Sequence, residues 1–249
     1  MLPRHRQILD YIRQHGDTSV EVLAKVLEVT AQTIRRDIRE LELAQVLVRY
    51  HGGVGLPSTV QNIDYAQRLV MHVDGKRRIA NSVASQIEPG RSLILNLGTT
   101  TEEVSKALLQ HRGIRVVTNN LNVASILSDN QSAEVIVAGG VVRHRDRGIV
   151  GEATIDFMRQ FKVDIGIIGI SGIEEDGTLL DYDYSEVRVT QAIIEQSREV
   201  WLVADHTKFS RRALVRLGHI SQVTRFFTDQ AIPESALPAF AKVQVVVAE

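Results

Sequence analysis

Apolar residues Ile8, Leu9 and Ile12 recur at helical spacing and are followed by Gly16, a stop signal, so a first helix is predicted over 4–15. Thr18 with Glu21 three residues later has the form of a capping box, opening a second helix with Val22, Leu23, Val26 and Leu27 as its apolar stripe. A tight Glu28-Val29-Thr30 connection leads to a third helix, with Thr30 as N-cap and Ile34, Ile38 and Leu41 on its inner face. After Leu43 the period shortens. Val46 to His51 reads as a strand, and Gly52-Gly53 as the turn of a hairpin. Three helices followed by a β-wing predict a winged helix-turn-helix over residues 1–54.

Residues 55–74 begin with Gly55, Pro57 and Ser58 and show no sustained period at their start, which predicts a linker and connector. From there to residue 249, strands alternate with helices. Strands are expected at 93–97, 115–118, 134–138, 164–170, 200–204, 225–228 and 243–247, with helices at 76–87, 101–111 and 185–197 among those between them. Strands rich in Val, Ile and Leu and separated by helices imply a mostly parallel sheet covered on both faces, a three-layer α/β domain over 75–249.

Composition narrows the classes. Hydrophobic residues at 44% and charged residues at 24% exclude a disordered or fibrous chain. The absence of cysteine excludes disulfides and thiolate zinc sites. The eight histidines show no H-E-x-x-H spacing, so no metal is expected, and no cofactor. The start lacks an apolar signal core and no run of about 18 apolar residues occurs, which predicts a soluble, cytoplasmic protein. With a net charge of only −1, any nucleic-acid binding has to come from local charge.

The third helix carries that local charge. At about 100° per residue, with the apolar stripe centred on roughly 10°, Gln32 falls near 160°, Arg36 near 200° and Arg39 near 140°, while Arg35 sits to the side near 100°. Arginine matches the N7 and O6 acceptors of guanine, and glutamine the N6/N7 pattern of adenine. Gln32, Thr33 and Arg36 are therefore the base-reading candidates; Arg35, Arg39 and the wing residue Arg49 would hold phosphates, with Thr30 and His51 completing the interface. The competing reading is a surface helix whose arginines pair with Asp37 and Glu40.

In the larger domain Gly98-Thr99-Thr100 follows a strand and opens a helix, where backbone N–H groups and two hydroxyls can face a phosphate. The same triplet also suits a plain turn with an N-cap, and Glu102 and Glu103 would repel an anion if they pointed inward. Asn119, Asn120, Gly139 and Gly140 lie at the same carboxyl edge of the sheet, where ligands of open α/β folds gather. Asp181, Asp183, Glu186 and Arg188 form a charged cluster, suited either to binding hydroxyls or acid-base work or to a solvated first turn.

The string Val29-Thr30-Ala31-Gln32-Thr33-Ile34-Arg35-Arg36-Asp37-Ile38, followed by Arg49-Tyr50-His51-Gly52-Gly53, resembles the N-terminal signature of the DeoR family of bacterial transcriptional regulators. The likeness continues through Gly98-Thr99-Thr100, Thr118-Asn119-Asn120, Ala138-Gly139-Gly140, Gly148 to Ala153 and Asp205 to Lys208. It implies a C-terminal fold like that of ribose-5-phosphate isomerases used as a sensor, a phosphorylated small-molecule effector, double-stranded operator DNA as partner and a homodimer or homotetramer. It also implies that Lys208 neutralises phosphate charge. Segments 117–124, 151–157 and 169–173 carry a closer, subgroup resemblance, which points to glycerol 3-phosphate. One departure stands out: the family often has aspartate before the Gly-Thr-Thr loop, and this chain has Asn96. The expected function is a repressor released by its effector; the alternative is an isomerase-like enzyme with an appended DNA-binding domain.

Overall fold

The computed structural model describes residues 2–44, 46–50, 53–56 and 62–249. They form two compact units, Met1–Asp64 and Tyr65–Glu249.

In the first unit α1 (Pro3–His15), α2 (Val20–Val26) and α3 (Ala31–Leu43) precede an antiparallel hairpin of β1 (Val48–Tyr50) and β2 (Gly53–Gly55). The predicted stripes are its core: Ile8, Ile12, Leu23, Ile34, Ile38 and Leu41 are buried with Leu47 and Val54. Gly16 ends α1 with its N–H on Ile12 O at 2.9 Å, and Thr30 caps α3, its hydroxyl accepting from Thr33 N at 3.2 Å. Two expectations fail. Thr18 does not cap α2; its backbone exchanges hydrogen bonds with Val54 at 3.0 and 2.8 Å, and Ser19 takes the cap instead. Val22 and Val26 are exposed, because α2, seven residues long, turns only the Leu23 side toward the core.

The second unit opens with α4 (Tyr65–Val70), which lies in the stretch read as connector, and α5 (Val73–Ser85), the helix expected at 76–87. There follow β3 (Ser92–Leu95), α6 (Thr99–Ala107), β4 (Arg115–Thr118), α7 (Leu121–Leu127), β5 (Glu134–Val137), β6 (Val141–Val142), β7 (Ile149–Val150) and α8 (Glu152–Met158). The chain continues through β8 (Val163–Ile168), β9 (Gly172–Ile173), β10 (Thr178–Asp181), α9 (Tyr184–Glu195), β11 (Ser197–Val203), β12 (Val215–His219), β13 (Arg225–Thr228) and β14 (Gln244–Val247). All seven predicted strands pair in one parallel sheet, in the order β14-β13-β11-β8-β3-β4-β5.

Strand side chains alternate between faces, and so do the two cores. Leu93, Leu95, Val116, Ile167, Trp201 and Phe227 pack with α5, α6 and α7, whereas Ile94, Val117, Ile168, Leu202 and Phe226 pack with α8 and α9. This is the expected three-layer α/β arrangement. The small antiparallel sheet β12-β10-β9 and the hairpin β6-β7 were not foreseen; strands as short as two residues carry no readable period.

Candidate nucleic-acid interface and effector site

On α3 the buried Ile34, Ile38 and Leu41 fix the outward face, and Gln32, Arg35, Arg36 and Arg39 are all exposed. Those four line one cleft with Glu42 and Arg49 from the wing side, so the tertiary fold adds Arg49 to the helix face the wheel identified. Thr33 and Arg36 also line an adjoining cleft with Leu2 and Arg4. Arg36 is 83% exposed and lies 3.4 Å from Glu40; Arg35 is 3.5 Å from Glu21, and Arg49 is 3.0 Å from Glu42. Exposed pairs of this kind contribute about 0–1 kcal/mol, so phosphates and bases can displace the carboxylates at small cost. Thr30 is occupied as the cap of α3, and its hydroxyl lies 2.9 Å from that of Thr33. His51 lies outside the described residues.

Asp37 does not neutralise the reading face. It is buried on the inner side of α3 and receives both Arg4 Nε and Arg4 Nη2, the latter at 3.0 Å, with His5 Nε2 3.5 Å away. The Arg4 hydrogen bond holds the Asp37 carboxyl below the usual carboxylate range, against the opposing effect of burial. Arg4 of α1 thereby answers the Asp37 carboxylate within the cleft that Gln32, Thr33 and Arg36 also line.

In the second unit, Gly98 stands between β3 and α6 with φ 143°, a conformation a side chain would strain. Thr99, Thr100 and Thr101 open α6 and are buried; Thr101 is spent on the turn, its hydroxyl bonded to Asn96 O and Gly98 O at 2.9 and 2.7 Å. Asn96, the departure from the family pattern, donates to Thr190 Oγ1 at 2.8 Å and ties β3 to α9. Glu102 is consumed by a network in which Tyr65 Oη donates at 2.7 Å, Asn122 at 3.1 Å and Asn120 at 3.3 Å. Glu103 pairs with Lys106 at 2.5 Å. Both carboxylates are thus countered by donors.

The remaining edge residues separate. Asn120 caps α7, and Asn119 donates to Ile149 O at 3.0 Å; both are buried beside α6. Gly140 has φ 149°, and a Cβ there would lie 2.6 Å from Thr154 Oγ1, while Gly139 O accepts from that hydroxyl at 3.2 Å. Packing against α8 accounts for this pair. Lys208 follows β11, four strand spacings from β5, roughly 19 Å at about 4.8 Å each. A three-carbon ester does not bridge that gap, so Gly139 and Gly140 are not brought together with Lys208. The Gly98 loop lies two spacings from β11, with β8 between.

Lys208 is half-buried in the turn His206–Ser210. Burial pushes its ammonium down to about 7, and Arg211, Arg68 and Lys76 push the same way against Asp205. Arg68, Lys76 and Arg211 were missed by the sequence reading, since they come from separate elements and carry no shared motif. The acidic cluster is only partly assembled: Arg143 binds Asp146 and Glu186 at 2.6 Å and Asp183 at 2.8 Å, while Arg188 lies 3.9 Å from Glu152 instead. Burial and then Asp181 push Glu186 up to about 7.

Among the described residues no group of histidine and acidic side chains could hold a metal, and no helix is long and apolar enough to cross a membrane. Residues 4–60 match a DeoR-like helix-turn-helix domain, and residues 71–230 match the DeoR C terminal sensor domain. The glycerol-3-phosphate regulon repressor of Escherichia coli (strain K12) is 48% identical over 94% of this chain and 93% of its own length. The protein of the same name from Haemophilus influenzae is 49% identical over 93% of this chain and 90% of its own. The HTH-type transcriptional repressor CsqR of E. coli is 40% identical over 94% and 90%. Among solved structures, a D-ribose-5-phosphate isomerase in complex with phospho-erythronic acid aligns over 54% of this chain and 52% of that one, at 14% identity and a TM-score of 0.40. Relatives that align over at least 90% of their own length and are named as repressors displace the enzyme reading. The chain belongs to the DeoR family of DNA-binding transcriptional repressors.

Proposed function

We propose that this chain represses genes of glycerol or glycerol 3-phosphate catabolism and that glycerol 3-phosphate releases it from operator DNA. The observation that carries this reading is the 48–49% identity, across almost the whole chain, to two proteins named for the glycerol-3-phosphate regulon. In this reading Gln32, Thr33 and Arg36 read bases, and Arg35, Arg39 and Arg49 hold phosphates. One small head covers a short site, so a symmetric homo-oligomer, dimer or tetramer, reads inverted half-sites. The effector's phosphate sits at Gly98, Thr99, Thr100 and Lys208, with Asn119 or Asn120 near its hydroxyls. Release requires that the effector bind the DNA-free arrangement more tightly than the DNA-bound one.

The test pairs gel shifts on upstream regions of glycerol-catabolism genes with a titration of glycerol 3-phosphate, glycerol and sugar phosphates. Release by glycerol 3-phosphate at lower concentration than by any other compound is expected, and Thr100→Val with Lys208→Ala should abolish release while operator binding persists. Equal potency of glycerol would refute the phosphate anchor. Tighter binding of a sugar phosphate would refute the glycerol assignment alone.

A further inference from the structure

Glu40 lies on the exposed side of α3, one turn beyond Arg36, and its two carboxylate oxygens reach different partners. Oε1 is 3.4 Å from Arg36 Nε, and Oε2 is 3.5 Å from Nε2 of His5 in α1. Arg36 stands in solvent on the reading face, whereas the His5 side chain is almost wholly buried. His5 Nε2 has no hydrogen bond, and two carboxylate oxygens face it, Glu40 Oε2 and Asp37 Oδ1, each 3.5 Å away. Carboxylates accept, so the hydrogen is assigned to Nε2. Asp37 is already pinned, because Arg4 donates to its Oδ2 through Nε and to its Oδ1 through Nη2 at 3.0 Å. Glu40 sits on an exposed, flexible side chain and can close the remaining gap. A buried N–H without an acceptor is costly, which favours that closure.

The exposed Arg36 pairing by itself is cheap to exchange, but the second oxygen of the same carboxylate is directed at a buried group. Glu40 also works against DNA binding in one respect. A carboxylate on the face that meets a duplex repels phosphates, and the helix would hold any sequence more tightly without it. Its placement is useful if it aims a cation. The closest approach to Arg36 is through Nε, which leaves the terminal Nη1 and Nη2 pair as a two-pronged donor for the N7 and O6 acceptors of guanine. A loose arginine on a helix surface samples many rotamers, and ordering it costs entropy at the moment of binding. A carboxylate one turn away that is itself anchored removes part of that cost, and does so for one orientation only.

We propose that Glu40 is a positioning residue for base reading: anchored at Oε2 by the buried His5, it holds the Arg36 guanidinium by Nε and presents its terminal nitrogens to the major groove. This role rests on the reading of Arg36 as a base contact and adds to it the two residues that aim it, Glu40 and His5. Removing Glu40 then has opposite effects on two quantities. Affinity for DNA of any sequence rises, because a negative charge is gone, while preference for the base pair that Arg36 reads falls. A bare surface charge would move the first and leave the second.

Duplexes selected from a randomised pool by the full chain give the base preference at every position, and a scrambled duplex gives affinity without sequence. Glu40→Ala should bind the scrambled duplex about twofold tighter or more, and should lose about threefold or more of the preference at the base pair that Arg36→Ala relaxes. Arg36→Ala with Glu40→Ala should lose no more preference than Arg36→Ala alone, because two residues that act through one contact are not additive. His5→Leu, with folding checked by its melting temperature, should lose preference at the same base pair and leave scrambled-duplex affinity nearly unchanged. If Glu40→Ala keeps the wild-type preference while Arg36→Ala loses it, the positioning role is overturned and Arg36 stands as a reader. Loss at a different base pair would overturn it too, since Glu40 would then read a base itself. A His5→Leu variant that melts as wild type with full preference would overturn the anchor. Unchanged preferences in Arg36→Ala would overturn the reading of Arg36 and the role of Glu40 together.

Discussion

The two units place their cations in opposite surroundings. In the helix-turn-helix unit Arg35, Arg36 and Arg49 stand in solvent, beside the exposed Glu21 and Glu40 and the half-buried Glu42, and each pairing is cheap to exchange. In the sensor unit Lys76, Lys208 and Arg211 are drawn inside, where burial pushes each of them down from its ordinary value. An extended polyanion such as DNA needs a wide, wet, positively charged face whose strength depends on salt. A small dianion needs a pocket that pays its desolvation once and is then fully matched. The same residue types occur in both units, and the difference lies in burial.

The largest expected break is in the support of the reading helix. Arg4→Ala leaves the buried Asp37 without its main partner, so the variant should unfold at clearly lower denaturant concentration than the wild type. Denaturant unfolding of the variant checks this, and Arg4→Ala with Asp37→Ala should recover part of the loss. A double variant no more stable than the single one would remove the pair from the account.

Next comes the reading face. Arg36→Ala should weaken specific operator binding by about 1–3 kcal/mol and relax preference at one base pair, whereas Arg35→Ala should weaken all sequences alike and reduce the salt slope by about 1. A base-substitution panel giving identical profiles for both variants would show that neither reads a base.

Smaller is Tyr65→Phe, which deletes one donor to the buried Glu102 and should cost about 1–2 kcal/mol in sensor stability. Thermal melting of the full chain measures it, and no change in stability would mean that Asn120 and Asn122 suffice.

The two units should also differ in their response to pH. The folded Asp37 lies below its ordinary value, so its stabilisation is present above about 4 and is lost as pH falls through the folded value. Glu186 is raised to about 7, so its contribution is full below its ordinary value near 4.5 and is lost as pH rises toward 7. Hydrogen exchange followed separately in each unit at pH 3, 5 and 7 should show both units loosening at acid pH, since Asp164, Asp176, Asp183 and Asp205 of the sensor unit are also held below the ordinary value, and only the sensor unit changing between pH 5 and 7. Glu186→Gln should flatten the change in the sensor unit between pH 5 and 7.

Much of the architecture follows from local pattern. The spacing of Ile34, Ile38 and Leu41 determines which way Gln32 and Arg36 face, and short runs of Val, Ile, Leu and Phe mark the seven parallel strands, because periodicity is a property of neighbours in the chain. Gly98-Thr99-Thr100 was legible for the same reason: a strand, a glycine and a helix start lie within a few residues of one another. What local pattern did not determine is which long-range partner each polar group finds. Ser19 caps α2 because Thr18 is paired to Val54, Asp37 belongs to Arg4, and Glu102 is claimed by Tyr65. Gly139 and Gly140 share a carboxyl edge with Lys208, and only the strand order shows that four strand spacings lie between them. Arg68, Lys76, Lys208 and Arg211 lie far apart in the sequence and share no motif. Charge is additive along a chain, but desolvation and mutual repulsion depend on distance in space, so only the tertiary structure brings Lys208 under the influence of Arg211, Asp205, Arg68 and Lys76.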